Sequence, residues 1–120
     1  MKHAMANKYV DLQFLMNSAK NDTEQVRDFI QDVLELNAES MGSLNSAYEN
    51  NNFMEMKGIA HMLKSSADIF DSAVYKQNLV NLEAKCKEGD KEAIGKALKE
   101  VTTIASAWEG ELREELTKLS

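Results

Sequence analysis

Apolar residues in this chain recur at three- and four-residue steps in long blocks, separated by short polar clusters. Val26, Phe29, Ile30, Val33, Leu34, Met41, Leu44 and Tyr48 have the spacing of one face of an α-helix. Asp22 ahead of them can accept from the free N–H groups of a helix start, with Gln25 three residues on. Asn50-Asn51-Asn52 should break this helix just after Glu49. Asn37, Ser40 and Gly42 interrupt its stripe, so a bend or frayed turn is expected there. The next stripe, Phe53, Met56, Ala60, Leu63, Ala67 and Phe70, is opened by Asn52 with Glu55 and punctuated by Asp71 and Ser72. Ser72 is then expected to cap a helix that turns Tyr75, Leu79, Leu82 and Cys86 inward. Gly89-Asp90 reads as a stop followed by a new cap. The last block carries Ile94, Ala97, Leu98, Val101, Ile104, Ala105, Trp108, Leu112, Leu116 and Leu119. Ahead of all these, Leu12, Leu15, Met16 and Ala19 mark a short helix ending near Ala19. Short turns force neighbouring helices to reverse direction. The predicted fold is therefore all-α: an antiparallel up-down four-helix bundle with a short N-terminal capping helix.

Composition narrows the function more than the fold. The 120 residues allow one domain, placed at 9–120, after a patternless stretch over 1–8 that reads as a disordered leader. Zero prolines suit long helices. A net charge of −6 argues against a nucleic-acid groove, which needs clustered Lys and Arg. The single cysteine, Cys86, excludes an internal disulfide and a cysteine-based zinc site, and its seam position makes it a small core hydrophobe. No apolar run is long enough for a bilayer and no secretory signal opens the chain, so a cytoplasmic protein without a membrane partner is expected. Trp108 and most methionines read as core, and Glu109, Glu111, Glu114 and Glu115 as a solvated helix face.

His61 does not fit the core pattern. At 100° per residue it lies about 130° from the centre of the stripe formed by Met56, Ala60, Leu63 and Ala67, on the solvent side. A helical histidine there is most often a surface residue without a role, but its neighbours are unusual. Gly58 and Ser65, three before and four after, are small residues on the same outward face, where a mid-helix Gly costs roughly 0.5–1 kcal/mol relative to Ala. They leave the imidazole open to another protein. Lys57 and Lys64 flank it toward the core boundary, close enough to offset the charge of a phosphoryl group placed on the ring. Met54 and Ile69 project outward by the same wheel, about two turns to either side, and would complete a docking patch.

Competing chemistries lack their parts. His3 is the only other histidine, so no metal site is expected, and Ser65 and Ser66 are too close in sequence to form a hydrolase triad with His61. Neither GxxxxGK[ST] nor GxGxxG occurs, so a phosphoryl group would have to come from a partner.

The string Ala60-His61-Met62-Leu63-Lys64-Ser65-Ser66-Ala67 is similar to the signature of histidine-containing phosphotransfer domains: His, any residue, Leu, Lys, Gly, then Ser or Ala. Asn52-Phe53, the Gly89-Asp90 turn and the order of helices extend the resemblance from about Asp11 to Leu119. It implies that His61 accepts a phosphoryl group on Nε2 from a receiver-domain aspartate and passes it on. It also implies that Lys64 steadies the phosphate. Lys57, Gly58, Ser65, Asp68, Met54 and Ile69 are expected to form the partner-docking face around the ring. The chain would be a monomeric phosphoryl carrier rather than an enzyme, with no cofactor of its own and Mg²⁺ supplied by the receiver. Its partners would be receiver domains and a hybrid histidine kinase. Ser65 stands where Gly is usual, and Asp71 replaces a frequent Gly at the helix end. An adaptor or inhibitor that binds a receiver or kinase without carrying phosphate is the second reading, and a small metal- or ligand-binding bundle the third.

Overall fold

The computed structural model describes residues 9–119 and places them in five α-helices: α1 (Gln13–Ser18), α2 (Thr23–Glu49), α3 (Phe53–Ile69), α4 (Ala73–Glu88) and α5 (Lys91–Lys118). The leader expected over residues 1–8 lies outside the described residues. Local chemistry sets the ends. Asp22 accepts from the Gln25 N–H at the start of α2, and Asp90 from the Glu92 and Ala93 N–H groups at the start of α5. Asn52 and Glu55 pair reciprocally: the Glu55 N–H donates to Asn52 Oδ1 at 3.2 Å, and Asn52 Nδ2 donates to Glu55 Oε1 at 3.1 Å. Gly89 ends α4 in the left-handed region at φ 81°. Asp71 takes the same role after α3 at φ 52°, and the Ser72 N–H reaches back to the Ala67 carbonyl at 2.8 Å. The Gly that resemblance would favour at Asp71 is thus replaced without loss of the turn.

Helix α2 packs against α3 and α5, α4 packs against the same two, and α1 lies on α2. The stripes meet in one core, in which Val26, Ile30, Leu44, Met56, Ala60, Leu63, Leu79, Leu82, Ile94, Val101 and Leu112 are fully buried. Trp108 forms its aromatic centre, with the Phe70 ring edge-on at 5.6 Å and the Tyr75 ring at 4.9 Å. Cys86 is buried, and burial pushes its thiol up, reinforced by Glu83 and opposed by Lys57.

Four expectations need correction. Helix α2 does not fray at its weak point: it stays helical from Thr23 to Glu49, with Asn37 and Ser40 buried within it. Asn37 Oδ1 accepts from the Tyr75 hydroxyl at 2.6 Å while its Nδ2 donates to Glu109 Oε2 at 2.7 Å, so Asn37 ties α2 to α4 and α5. Ser72 precedes α4 but does not cap it with its side chain. Its hydroxyl accepts from Trp108 Nε1 at 2.7 Å and donates to the Tyr9 carbonyl. The glutamates of α5 are not all solvated: Glu109 binds Asn37, and Glu111 Oε1 accepts from the Tyr9 and Val10 N–H groups at 2.8 and 3.0 Å. Together with the bond from the Asp11 N–H to the Phe70 carbonyl, these contacts bind the segment before α1 to the helices. Finally, Ile69 does not project freely. It is half-buried at the last turn of α3 and packs against the core.

Candidate functional site

Helix α3 presents two faces. Met56, Ala60, Leu63 and Ala67 are buried, while Met54, Gly58, His61, Met62, Ser65 and Asp68 are exposed. The imidazole of His61 is 72 % exposed, as the wheel predicts. It stands in a row of cross-helix partners from α4. Lys57 acts on the Cys86 thiol, His61 and Lys64 meet Glu83, and Asp68 pairs with Lys76 at 2.9 Å. Rising numbers on α3 match falling numbers on α4, so the two helices run in opposite directions.

Glu83 organises the centre of this row. Its Oε2 lies 3.0 Å from His61 Nδ1 and its Oε1 2.8 Å from Lys64 Nζ. The carboxylate and the ammonium are largely covered, at 16 % and 24 % exposure, whereas the imidazole is open. Burial pushes the Glu83 carboxyl up, but the hydrogen bonds and charges of Lys64 and His61 outweigh it and hold the group below the usual carboxylate range. Glu83 is therefore ionised at neutral pH. Among the described residues, Nε2 of His61 has no protein partner.

The sequence reading thus placed His61 and Lys64 at one site and missed the residue that joins them. Nothing in the α4 periodicity distinguishes Glu83 from a surface glutamate. The available signal was pairwise: an acidic residue beside the inward Leu79 and Leu82, on the helix expected to reverse against α3. Lys57 is half-buried on the α4 side, and Gly58 and Ser65 are exposed as expected. A Cβ added at Gly58 would meet nothing within 4 Å, so no packing inside the chain requires glycine there. Met54, at 78 % exposure, and Met62, at 44 %, are the exposed apolar side chains of this helix, and Ile69 drops out of the patch. No group of three His, Cys, Asp or Glu side chains among the described residues could hold a metal ion, and no described helix is long and apolar enough to cross a membrane. Comparison with known proteins brings no relative: no family model matches the chain, and neither the curated proteins nor the solved structures yield a match.

Proposed function

We propose that this chain is a histidine phosphotransfer protein of a multistep phosphorelay, a cytoplasmic carrier that takes a phosphoryl group from a receiver-domain aspartate on His61 and passes it on. The observation that carries the reading is the state of the imidazole. It stands open on a packed helix, with Nδ1 engaged by the protein, Nε2 free, and the Lys64 ammonium held at the same carboxylate. The helix pairings support reading α2 to α5 as an antiparallel up-down four-helix bundle, with α1 at one end. Such a scaffold holds the nucleophile at fixed height and angle, which is most of what a carrier must contribute.

In the forward step the Nε2 lone pair forms an N–P bond as the P–O bond to the receiver aspartate breaks, and the electron pair leaves with that carboxylate. The receiver supplies the acidic pocket and its Mg²⁺; this chain supplies the positioned ring. Lys64 then offsets the dianionic phosphoryl group by charge-assisted contact. The small outward residues Gly58 and Ser65 and the exposed Met54 and Met62 would admit the partner beside the ring.

The test mixes the full chain, Mg²⁺ and receiver domains carrying a radiolabelled aspartyl phosphate. Acid-labile, base-stable label should appear on the wild type and vanish in His61→Gln, which keeps the fold because the ring is exposed. Lys64→Ala should slow transfer roughly tenfold or more, the worth of one hydrogen bond to a charged group. Label that persists in His61→Gln rejects the assignment. Tight receiver binding with no label on the wild type would instead favour a non-phosphorylated adaptor.

A further inference from the structure

Ser65 stands where the resemblance favours Gly, and serine brings a hydroxyl to that position. The residue is exposed, one turn beyond His61, and among the described residues its hydroxyl has no partner in the chain. The hydroxyls of Thr102, Thr103 and Thr117 on α5 instead donate to the carbonyl four residues before them.

Helix geometry puts this free hydroxyl on the side of the ring that Lys64 does not cover. At 100° per residue, Lys64 leaves α3 about 60° to one side of His61, and Ser65 about 40° to the other. The Lys64 side is the α4 side, because its ammonium and Nδ1 of His61 both meet Glu83 there. The two nitrogens lie on opposite edges of the imidazole. A ring with Nδ1 turned to α4 therefore directs Nε2 away from α4, toward solvent and the flank of Ser65. Residues four apart on a helix have Cβ atoms roughly 5–6 Å apart. Helical side chains also lean toward the N-terminus, which carries the Ser65 side chain back over the turn of His61.

We propose that Ser65 is a second phosphate-binding residue: its hydroxyl donates to an oxygen of the phosphoryl group on Nε2, across from the Lys64 ammonium. This role rests on the carrier reading of His61. The N–P bond forms as the P–O bond to the aspartate breaks; no bond to Ser65 is made or broken, and the hydroxyl keeps its proton. Before transfer both Nε2 and the hydroxyl lack a partner among the described residues, so the contact belongs to the phosphorylated state alone. It therefore draws the reversible exchange with a receiver toward this chain.

Four full-length chains separate the hydroxyl from the space it takes: wild type, Ser65→Thr, Ser65→Ala and Ser65→Gly, each checked for helical content by circular dichroism. They are equilibrated with Mg²⁺ and receiver domains carrying a radiolabelled aspartyl phosphate. Clearance for a partner alters how fast label moves but not where it comes to rest. The share of label on the chain should match in wild type and Ser65→Thr. In Ser65→Ala and Ser65→Gly the ratio of phosphorylated to free chain should fall roughly three- to tenfold, the net worth of one hydrogen bond. Phosphoramidate, a small donor that needs no receiver, loads the same chains for ³¹P titration. A hydrogen bond to the dianion favours it, so the phosphoryl resonance of the Ala and Gly variants should titrate roughly 0.5–1 pH unit above that of the wild type. Lys57, Lys64 and Glu83 are common to all four chains, so the difference isolates the hydroxyl. Equal shares of label in all four, or a Ser65→Ala chain that titrates with the wild type, overturns the proposal. A wild type that phosphoramidate loads and no receiver phosphorylates overturns the relay reading; the ³¹P difference between serine and alanine would still uphold the contact.

Discussion

Tyr75→Phe removes one oxygen from the centre of the molecule and tests the polar link between helices. Tyr75 is fully buried, and its hydroxyl donates to Asn37 Oδ1 at 2.6 Å; Asn37 in turn donates to Glu109 at 2.7 Å. The substitution keeps the ring against Trp108 but strands the Asn37 oxygen in a buried position. Leaving a buried acceptor unpaired costs about 1–3 kcal/mol. With a urea dependence of about 1–3 kcal/mol per molar for a domain of this size, the unfolding midpoint should fall by roughly 1 M. The pH dependence gives a second, sharper signature. Burial drives the Tyr75 phenol far above its ordinary value of 10.0; the Asn37 bond opposes this and Glu109 reinforces it. The folded state therefore keeps a proton that the unfolded chain releases above about pH 10. A raised folded value gives stability that is fully present below the unfolded value and drains as pH rises toward the folded one. Above pH 10 the wild type should lose about 1.4 kcal/mol per pH unit from this one group, and Tyr75→Phe should not. Urea titrations monitored by circular dichroism between pH 7 and 11 measure both effects. Equal midpoints at pH 7, or parallel alkaline slopes in the two proteins, would refute the reasoning.

Glu111→Ala should release the segment before α1, because one carboxylate oxygen holds the N–H groups of Tyr9 and Val10. The expected cost is about 1–3 kcal/mol, with hydrogen exchange at those two amides accelerating more than exchange in α4; unchanged protection at both would disprove the latch. Cys86 is buried with its thiol pushed up, so it should react with a soluble disulfide reagent at pH 8 at least tenfold more slowly than in the urea-unfolded chain. Reaction at the unfolded rate would show that the seam between α3 and α4 opens readily.

Much of this structure is written in local pattern. The three- and four-residue steps and the polar punctuation gave the five helices, the caps at Asp22, Asn52 and Asp90 and the outward turn of His61, because helical period and end chemistry depend on neighbours within a turn. Three of the errors share one cause. Asn37 looked like a weak point in α2, Glu111 like a solvated residue of α5 and Ser72 like a cap. Each instead finds its partner on an element far away in sequence: Tyr75 and Glu109 for Asn37, the segment at Tyr9 for Glu111, Trp108 for Ser72. A wheel says which way a polar side chain leaves its own helix. What waits there depends on another helix.

The same division runs through the candidate site. Residue order alone determined that an imidazole and an ammonium, three positions apart, leave α3 on adjoining faces with small residues around them. Only the packing of α4 against α3 decided that a carboxylate lies between the two, engaging one ring nitrogen and leaving the other free. Helical spacing is set by bonds along a single backbone, whereas a cross-helix contact depends on the register in which two apolar stripes interlock.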